Sequence, residues 1–185
     1  MPKRSNPPAC KLGSRYVEWI HDDVIGSVWP SVDPVSKDEY RNVDLLESAL
    51  ARPFHSVGEQ DAYPTVAEKA TALFHSMIAN HPFQNGNKRT AVVALDVFLV
   101  ANGYAIAISN DKIYELATKT ASYNERGITH ERSFDEIKTT LNKYVVPLPL
   151  LYKEQKKDPK LVGFYKASIT LRVSVRRNKH NQLMP

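Results

Sequence analysis

The ten residues His81-Pro82-Phe83-Gln84-Asn85-Gly86-Asn87-Lys88-Arg89-Thr90 decide how this chain is read, because one patterned apolar segment stops there and another begins. Upstream, Pro64 to Asn80 sets Val66, Ala67, Ala70, Leu73, Phe74, Met77 and Ile78 at the i, i+3, i+4 spacing of an amphipathic helix, entered through a proline in its first turn. Pro82 cannot continue that helix, and it drives His81 out of the α region. Downstream, Asn87 to Asn102 is apolar on nearly every face, and Gly103 is the residue expected just past a helix C-terminus. A helix apolar all round belongs in the middle of a core. Gly86 and Asn87 therefore open a buried helix, where backbone N–H groups and the positive end of the dipole favour an anion. Lys88 and Arg89 place two cations where that dipole opposes them, at ~0.3–1 kcal/mol each; a bound anion explains them. Arg89 can grip phosphate oxygens with two parallel N–H groups, and His81 titrates in the range suited to taking a proton from a hydroxyl.

The stretch HPFQNGNKRT resembles the shared motif of the Fic/Doc proteins: His, any residue, Phe, any residue, Asp or Glu, Gly, Asn, Gly or Lys, Arg. The resemblance runs from about Tyr16 to Val145, and DLLESALARP (44–53), DAYPTVAEKA (61–70) and FLVANGY (98–104) look like the death-on-curing (Doc) branch. It implies an all-α fold, a compact helical bundle with a short β-hairpin flap, with ATP and Mg²⁺ as cofactors and a protein hydroxyl as acceptor. By position, His81 matches the catalytic base and Phe83 the apolar anchor of the loop. Gly86, Asn87 and Lys88 match the anion-hole segment, and Arg89 the phosphate-binding arginine. Asn85 departs from the pattern: it stands where the family has an acid that orients Mg²⁺, a hard cation that prefers charged oxygen. Weaker metal binding through the amide or through water follows from that difference.

Two features imply the reaction type. The branch that transfers AMP has a small residue where this chain has Lys88, and a second arginine where it has Val92; both positions here look like Doc. The lysine goes with a reversed ATP pose that turns the γ-phosphate towards the acceptor, so the implied activity is protein phosphorylation, catalysed by positioning and charge neutralisation. The implied target is elongation factor Tu, with translation blocked as the outcome. AMP transfer is the alternative within enzymes. A non-catalytic binding module using the basic tail is the alternative outside them, and the intact His81, Gly86, Asn87 and Arg89 argue against it.

Ahead of the motif, Ala51 to Tyr63 is bracketed by Pro53 and Pro64 and turned at Gly58, so a non-helical segment is expected. By its residues it reads as a surface loop. The resemblance implies a flap that holds substrate backbone by strand addition, with Arg52, His55, Glu59 and Asp61 as the residues able to touch substrate. Many Fic proteins also carry an inhibitory helix with Ser or Thr four residues before Glu, then Gly or Asn. Ser14 and Glu18 have that spacing, but Trp19 breaks the pattern, so restraint is expected from a separate antitoxin.

With 185 residues and 42% hydrophobic content the chain can bury one good core. Cys10 is its one cysteine, which removes a disulfide framework and favours a cytoplasmic setting. No apolar run reaches the ~18–20 residues of a membrane span, and the start MPKRSNPPACKLGS lacks the apolar region of a signal peptide. Residues 1–14 are expected to be a disordered leader, 15–146 the catalytic domain, and 147–185 a linker with a basic C-terminal extension of uncertain structure. Residues 151–185 hold nine Lys or Arg against two acids, whereas 1–150 hold sixteen against eighteen. Leu161 to Val175 is patterned for a strand or two, followed by a frayed RRNKHNQ end. A solvated tail is the plain reading, with a nonspecific RNA contact next and a docking strand for an antitoxin third. Further helices are expected over Tyr16–Val28, Val43–Ala51, Asn110–Tyr123 and Ser133–Val145, the last opened by Ser133 and Glu136 in capping-box spacing. His21 lies beside the first apolar stripe and reads as structural. His75 and His81 lack the spacing of a zinc pair.

Overall fold

The computed structural model describes residues 9–25, 35, 40–148, 150, 176–177 and 182–184. In chain order they form β1 (Lys11–Leu12), α1 (Ser14–Trp19) running on into a π-helical turn (Ile20–Val24), α2 (Val43–Ala51) and a 3₁₀ turn (Arg52–Phe54). There follow β2 (Ser56–Val57), β3 (Gln60–Asp61), α3 (Val66–Ala79), α4 (Asn87–Ala101) and β4 (Tyr104–Ile106). The order ends with α5 (Asn110–Ala121), α6 (His130–Tyr144), β5 (Val145–Pro147), β6 (Arg176–Arg177) and β7 (Gln182–Met184). The fold is all-α with short strands, as the apolar patterning and the family resemblance both require.

α4 is the axis of the core. From Asn87 to Val100 every residue except Lys88 is buried, and α3, α5, β4 and the π-helical turn all pack on it. Each fully buried Leu or Phe contributes ~1.5–3 kcal/mol relative to an exposed one. Phe74, Phe98, Leu95, Leu99 and Met77, none more than 1% exposed, thus fix where α4 lies. Its end is closed as the sequence requires, with Gly103 at φ 85 directly after the Asn102 cap.

Three helix starts differ from the sequence expectation: α1 begins at Ser14, two residues before Tyr16, and two others are moved by their caps. α3 begins at Val66, because the Thr65 hydroxyl accepts the Glu68 N–H at 3.1 Å and the Glu68 carboxylate accepts the Thr65 N–H at 3.2 Å. That capping box closes the first turn, so Pro64 stands ahead of the helix rather than in it. α6 begins at His130, three residues before the expected cap, because the Thr129 hydroxyl accepts the Arg132 N–H at 3.2 Å. Ser133 is buried inside the helix, and Glu136 binds Arg126 through both its oxygens at 2.8 Å.

The chain ends depart further. Within the expected leader, Cys10 and Leu12 are buried at 3% and 5% exposure. The Cys10 N–H donates to the Asn102 side-chain oxygen at 2.7 Å, and Asn102 Nδ2 donates to the Cys10 carbonyl at 3.1 Å. β1 then pairs in parallel with β7, which pairs antiparallel with β6. The RRNKHNQ end, expected to fray, therefore carries strand at Arg176–Arg177 and from Gln182. β5 pairs with β4, and the Leu148 N–H donates to the Gly103 carbonyl at 2.9 Å, carrying the helical unit past residue 146. The strand expected over Leu161–Val175, the first helix beyond Ile25 and the leader before Ala9 lie outside the described residues. None of the described helices is long and apolar enough to cross a membrane.

Candidate active site

The connection between α3 and α4 is held by its own backbone and by one amide. Asn87, 3% exposed, accepts the Phe83 N–H through Oδ1 at 2.9 Å and donates Nδ2 to the Phe83 carbonyl at 2.8 Å. This clasp closes residues 83–87 into a fixed turn. Phe83, 1% exposed, is plugged into the core as its apolar character requires. Gly86 follows at φ 71, ψ −4 as the N-cap of α4. A Cβ there would lie 3.0 Å from Val35 Cγ2, 3.1 Å from Ile25 Cδ1 and 3.4 Å from His21 Nε2. Glycine is needed twice over, for the left-handed backbone and for the close approach.

His81 sits at the lip of this turn, exposed. Its φ of 53 places it in the left-handed region, and among the described residues it is the one non-glycine there. The sequence expectation that Pro82 pushes His81 out of the α region holds for the right-handed helix, but the residue takes a left-handed φ rather than extended backbone. Backbone of this kind costs ~1–3 kcal/mol and is kept where surrounding structure enforces it; here the enforcers are Pro82 and the Asn87 clasp. The pKa of His81 is lowered from its ordinary value, first by desolvation and then by the positive charges of Arg41 and Lys88. The shift favours the neutral ring, the form able to act as a base. Asn87 Nδ2 lies loosely beside it, 3.3 Å from Nδ1 and 3.4 Å from Nε2.

The first turn of α4 presents Lys88, half-buried, and Arg89, 7% exposed, with the N–H groups of the helix start. Lys88, Arg89, Gly86 and the backbone of Asn87 thus share one end of α4 with His81. The side chain of Asn87 is occupied in the clasp. Asn85 is half-buried with its Oδ1 shielded from solvent, so offering that oxygen to a metal requires a side-chain rotation. Among the described residues no group of three or more His, Cys, Asp or Glu side chains could hold a metal ion. The side chains of Lys88 and Arg89 and the N–H groups of this helix start suit an anion, and Asn85 offers an amide oxygen where a Mg²⁺ ion prefers a charged one.

Two supports come from outside the motif. The Arg41 and Asn42 N–H groups donate to the Pro82 carbonyl at 2.8 and 3.2 Å, and Tyr40 bridges to Phe83. That strand-like edge brings Arg41 next to His81. His21, carried by the π-helical turn, stacks on Phe83 with ring centroids 3.9 Å apart, and its Nε2 lies 3.3 Å from the Asn85 carbonyl oxygen. Its Nδ1 meets Asp22 at 2.7 Å. The structural role read for His21 is thus specific: it lies beneath the motif turn. Arg41 gave no local signal, since its role depends on a pairing across some forty residues.

The hairpin β2–β3, turned at Gly58, stands where the flap was expected, with Ser56 opposite Asp61 and Val57 opposite Gln60. Arg52 lies in a 3₁₀ turn, so the segment is not wholly non-helical. The four flap candidates separate. His55 and Glu59 are exposed, Asp61 accepts from Lys69 Nζ at 3.0 Å, and Arg52 turns inward to Tyr63, His75 and Ser76. A cavity of about 680 Å³ lies against the hairpin, lined among others by Ser48, Phe54, His55, Val57 and Tyr63.

Residues 11–99 match the family model described as the Fic/DOC family. Toxin Doc of Mycolicibacterium smegmatis (strain ATCC 700084 / mc(2)155) is 41% identical over 85 residues, which make up 43% of this chain and 65% of that protein. The matched stretch thus spans somewhat less than two thirds of that relative. No solved structure matches the chain.

Proposed function

From the match of residues 11–99 to the Fic/DOC family model, we propose that the chain is a Doc-like toxin of a toxin–antitoxin pair that transfers the γ-phosphate of ATP to a hydroxyl of a protein target. Elongation factor Tu is the expected target and a block of translation the outcome. The observation that carries this reading is the placement of His81, its pKa lowered by burial and by Arg41 and Lys88, beside the cationic first turn of α4. In the proposed step His81 accepts the acceptor's hydroxyl proton while that oxygen forms a bond to the γ-phosphorus. The bond to the β,γ-bridging oxygen breaks and ADP leaves. Lys88, Arg89 and the N–H groups at Gly86–Asn87 hold phosphate charge in fixed positions, which lowers the barrier without reorganisation. Mg²⁺ bound with ATP would neutralise phosphate charge, and Asn85 would meet it once its side chain has rotated. Lys88 favours γ-phosphate transfer over AMP transfer, and Val92, 2% exposed in the core, offers no second arginine to the nucleotide.

The test is transfer to purified elongation factor Tu, with Mg²⁺ and ATP labelled at the α or the γ phosphate in parallel. γ label on the factor, lost in His81→Ala, is the expected result. α label would mean AMP transfer, and the absence of both would leave a binding role.

A further inference from the structure

A hairpin of two-residue strands is marginal in water by itself, yet this one is tied to α3 at both legs. Lys69, on α3 and only 6% exposed, donates Nζ to the Pro53 carbonyl at 3.2 Å and to Asp61 Oδ2 at 3.0 Å, and stands 5.1 Å from the centre of the Phe54 ring. It therefore joins the chain entering the hairpin to the strand leaving it. Further along α3, His75 and Ser76 share the side that meets Arg52. Arg52 Nη1 donates to His75 Nδ1 and to Ser76 Oγ, both at 3.0 Å, while Arg52 Nε donates to the Tyr63 hydroxyl at 3.1 Å. Arg52 precedes the hairpin and Tyr63 follows it, so this second cation also spans both legs. The Ala62 N–H closes the base on the His55 carbonyl at 2.9 Å.

The chemistry makes both ties costly to lose. A lysine this buried keeps its charge only with acceptors in place, and Arg52, with five donors in a fixed fork, cannot be replaced in kind by lysine. Because Arg52 can only donate, His75 Nδ1 must be an acceptor, which makes the ring the neutral Nε2–H tautomer. What faces outward from this base is a short pair of strands with Val57 76% exposed at the turn.

We propose that Lys69 and Arg52 are positioning residues that hold the hairpin preformed for an acceptor protein's backbone, touching neither ATP nor the reacting atoms. This rests on the phosphotransfer reading for its substrate and on the contacts above for its rigidity. A preformed edge avoids the ordering cost that a floppy flap would meet on binding, so the two ties set affinity for the protein and leave ATP handling alone.

Hydrogen exchange of the full-length protein tests the rigidity without any transfer reaction. Amides 56–62 should be protected in the wild type. Their exchange should quicken at least tenfold in Lys69→Met and in Arg52→Lys, with α4 amides unchanged. Asp61→Asn removes only the exposed half of the Lys69 tie and should give a smaller rise in the same amides. In labelled-ATP assays on elongation factor Tu, Lys69→Met should raise KM for the protein about fivefold or more, leaving kcat and KM for ATP as they were. Unprotected amides in the wild type, or exchange unchanged in both cation variants, would overturn the proposal. So would a parallel rise of both KM values. A wild-type enzyme that transfers nothing, with exchange behaving as stated, would count against the phosphotransfer reading and uphold the preformed hairpin.

Discussion

Asp96 lies on α4 at 7% exposure, a carboxyl group in the core helix, and burial alone pushes its pKa up from 3.8 to about 7. The folded state therefore holds a proton between these values that the unfolded chain has released. Stability from this group is fully present below pH 3.8 and is lost as pH rises through 7. At 1.36 kcal/mol per unit of pKa, the whole loss is about 4 kcal/mol by pH 8. Asn resembles the protonated acid in shape and charge, so Asp96→Asn should leave stability near the wild type at pH 4 and raise it by up to about 4 kcal/mol at pH 8. His75 runs the other way. Burial, reinforced by the charges of His130 and Arg52, lowers its pKa to about 3, so its neutral form is favoured and stability is lost as pH falls below 6.5. Between roughly pH 4 and 6.5 the two slopes oppose each other at about 1.4 kcal/mol per unit each, so the wild type should vary much less with pH than either group alone would dictate. Urea unfolding at half-unit steps from pH 4 to 8 gives the answer. In Asp96→Asn a clear rise with pH should emerge, with His75 and, beside it, His81 acting unopposed. An equal effect of the substitution at pH 4 and pH 8 would refute the reasoning, since it would mean that Asp96 is ionised in the folded protein and compensated there.

Two further outcomes concern the site. Arg41→Ala removes a positive charge that helps to lower the His81 pKa; the acidic limb of the pH–rate profile, or the imidazole titration followed by NMR, should move to higher pH, and an unmoved titration would mean that Arg41 does not act on the base. Asn85→Asp adds a charged hard-oxygen ligand and should lower the Mg²⁺ concentration for half-maximal transfer, whereas an unchanged or poorer metal response would assign Asn85 to holding the loop.

What the sequence made legible is what short-range physics decides. The 3.6-residue apolar rhythm of 66–79 and the run of 91–101, apolar apart from Asp96, each give helix type and burial from their own residues. Pro82 and Gly86 give the break and the tight turn in the same way. The helix starts were less legible because a cap is a competition. Ser133 and Glu136 have capping-box spacing, but Thr129 can close an additional turn, and Gly127 at φ 67 breaks the chain just before it, so the helix extends back and buries Ser133. Least legible were roles that exist only across the chain. Lys11–Leu12 is too short to show a strand period and becomes a strand by pairing with residues some 170 positions away. Arg52 looked like a substrate contact because it stands at the mouth of the flap. Its direction is set by His75 and Ser76, which meet it only once α3 has folded. The same holds for His21 under Phe83 and Arg41 beside Pro82. The motif thus names the groups able to do chemistry, and residues remote in sequence fix where those groups point. A variant series confined to 81–90 would test the proposed base and phosphate contacts and would miss the contacts that aim them.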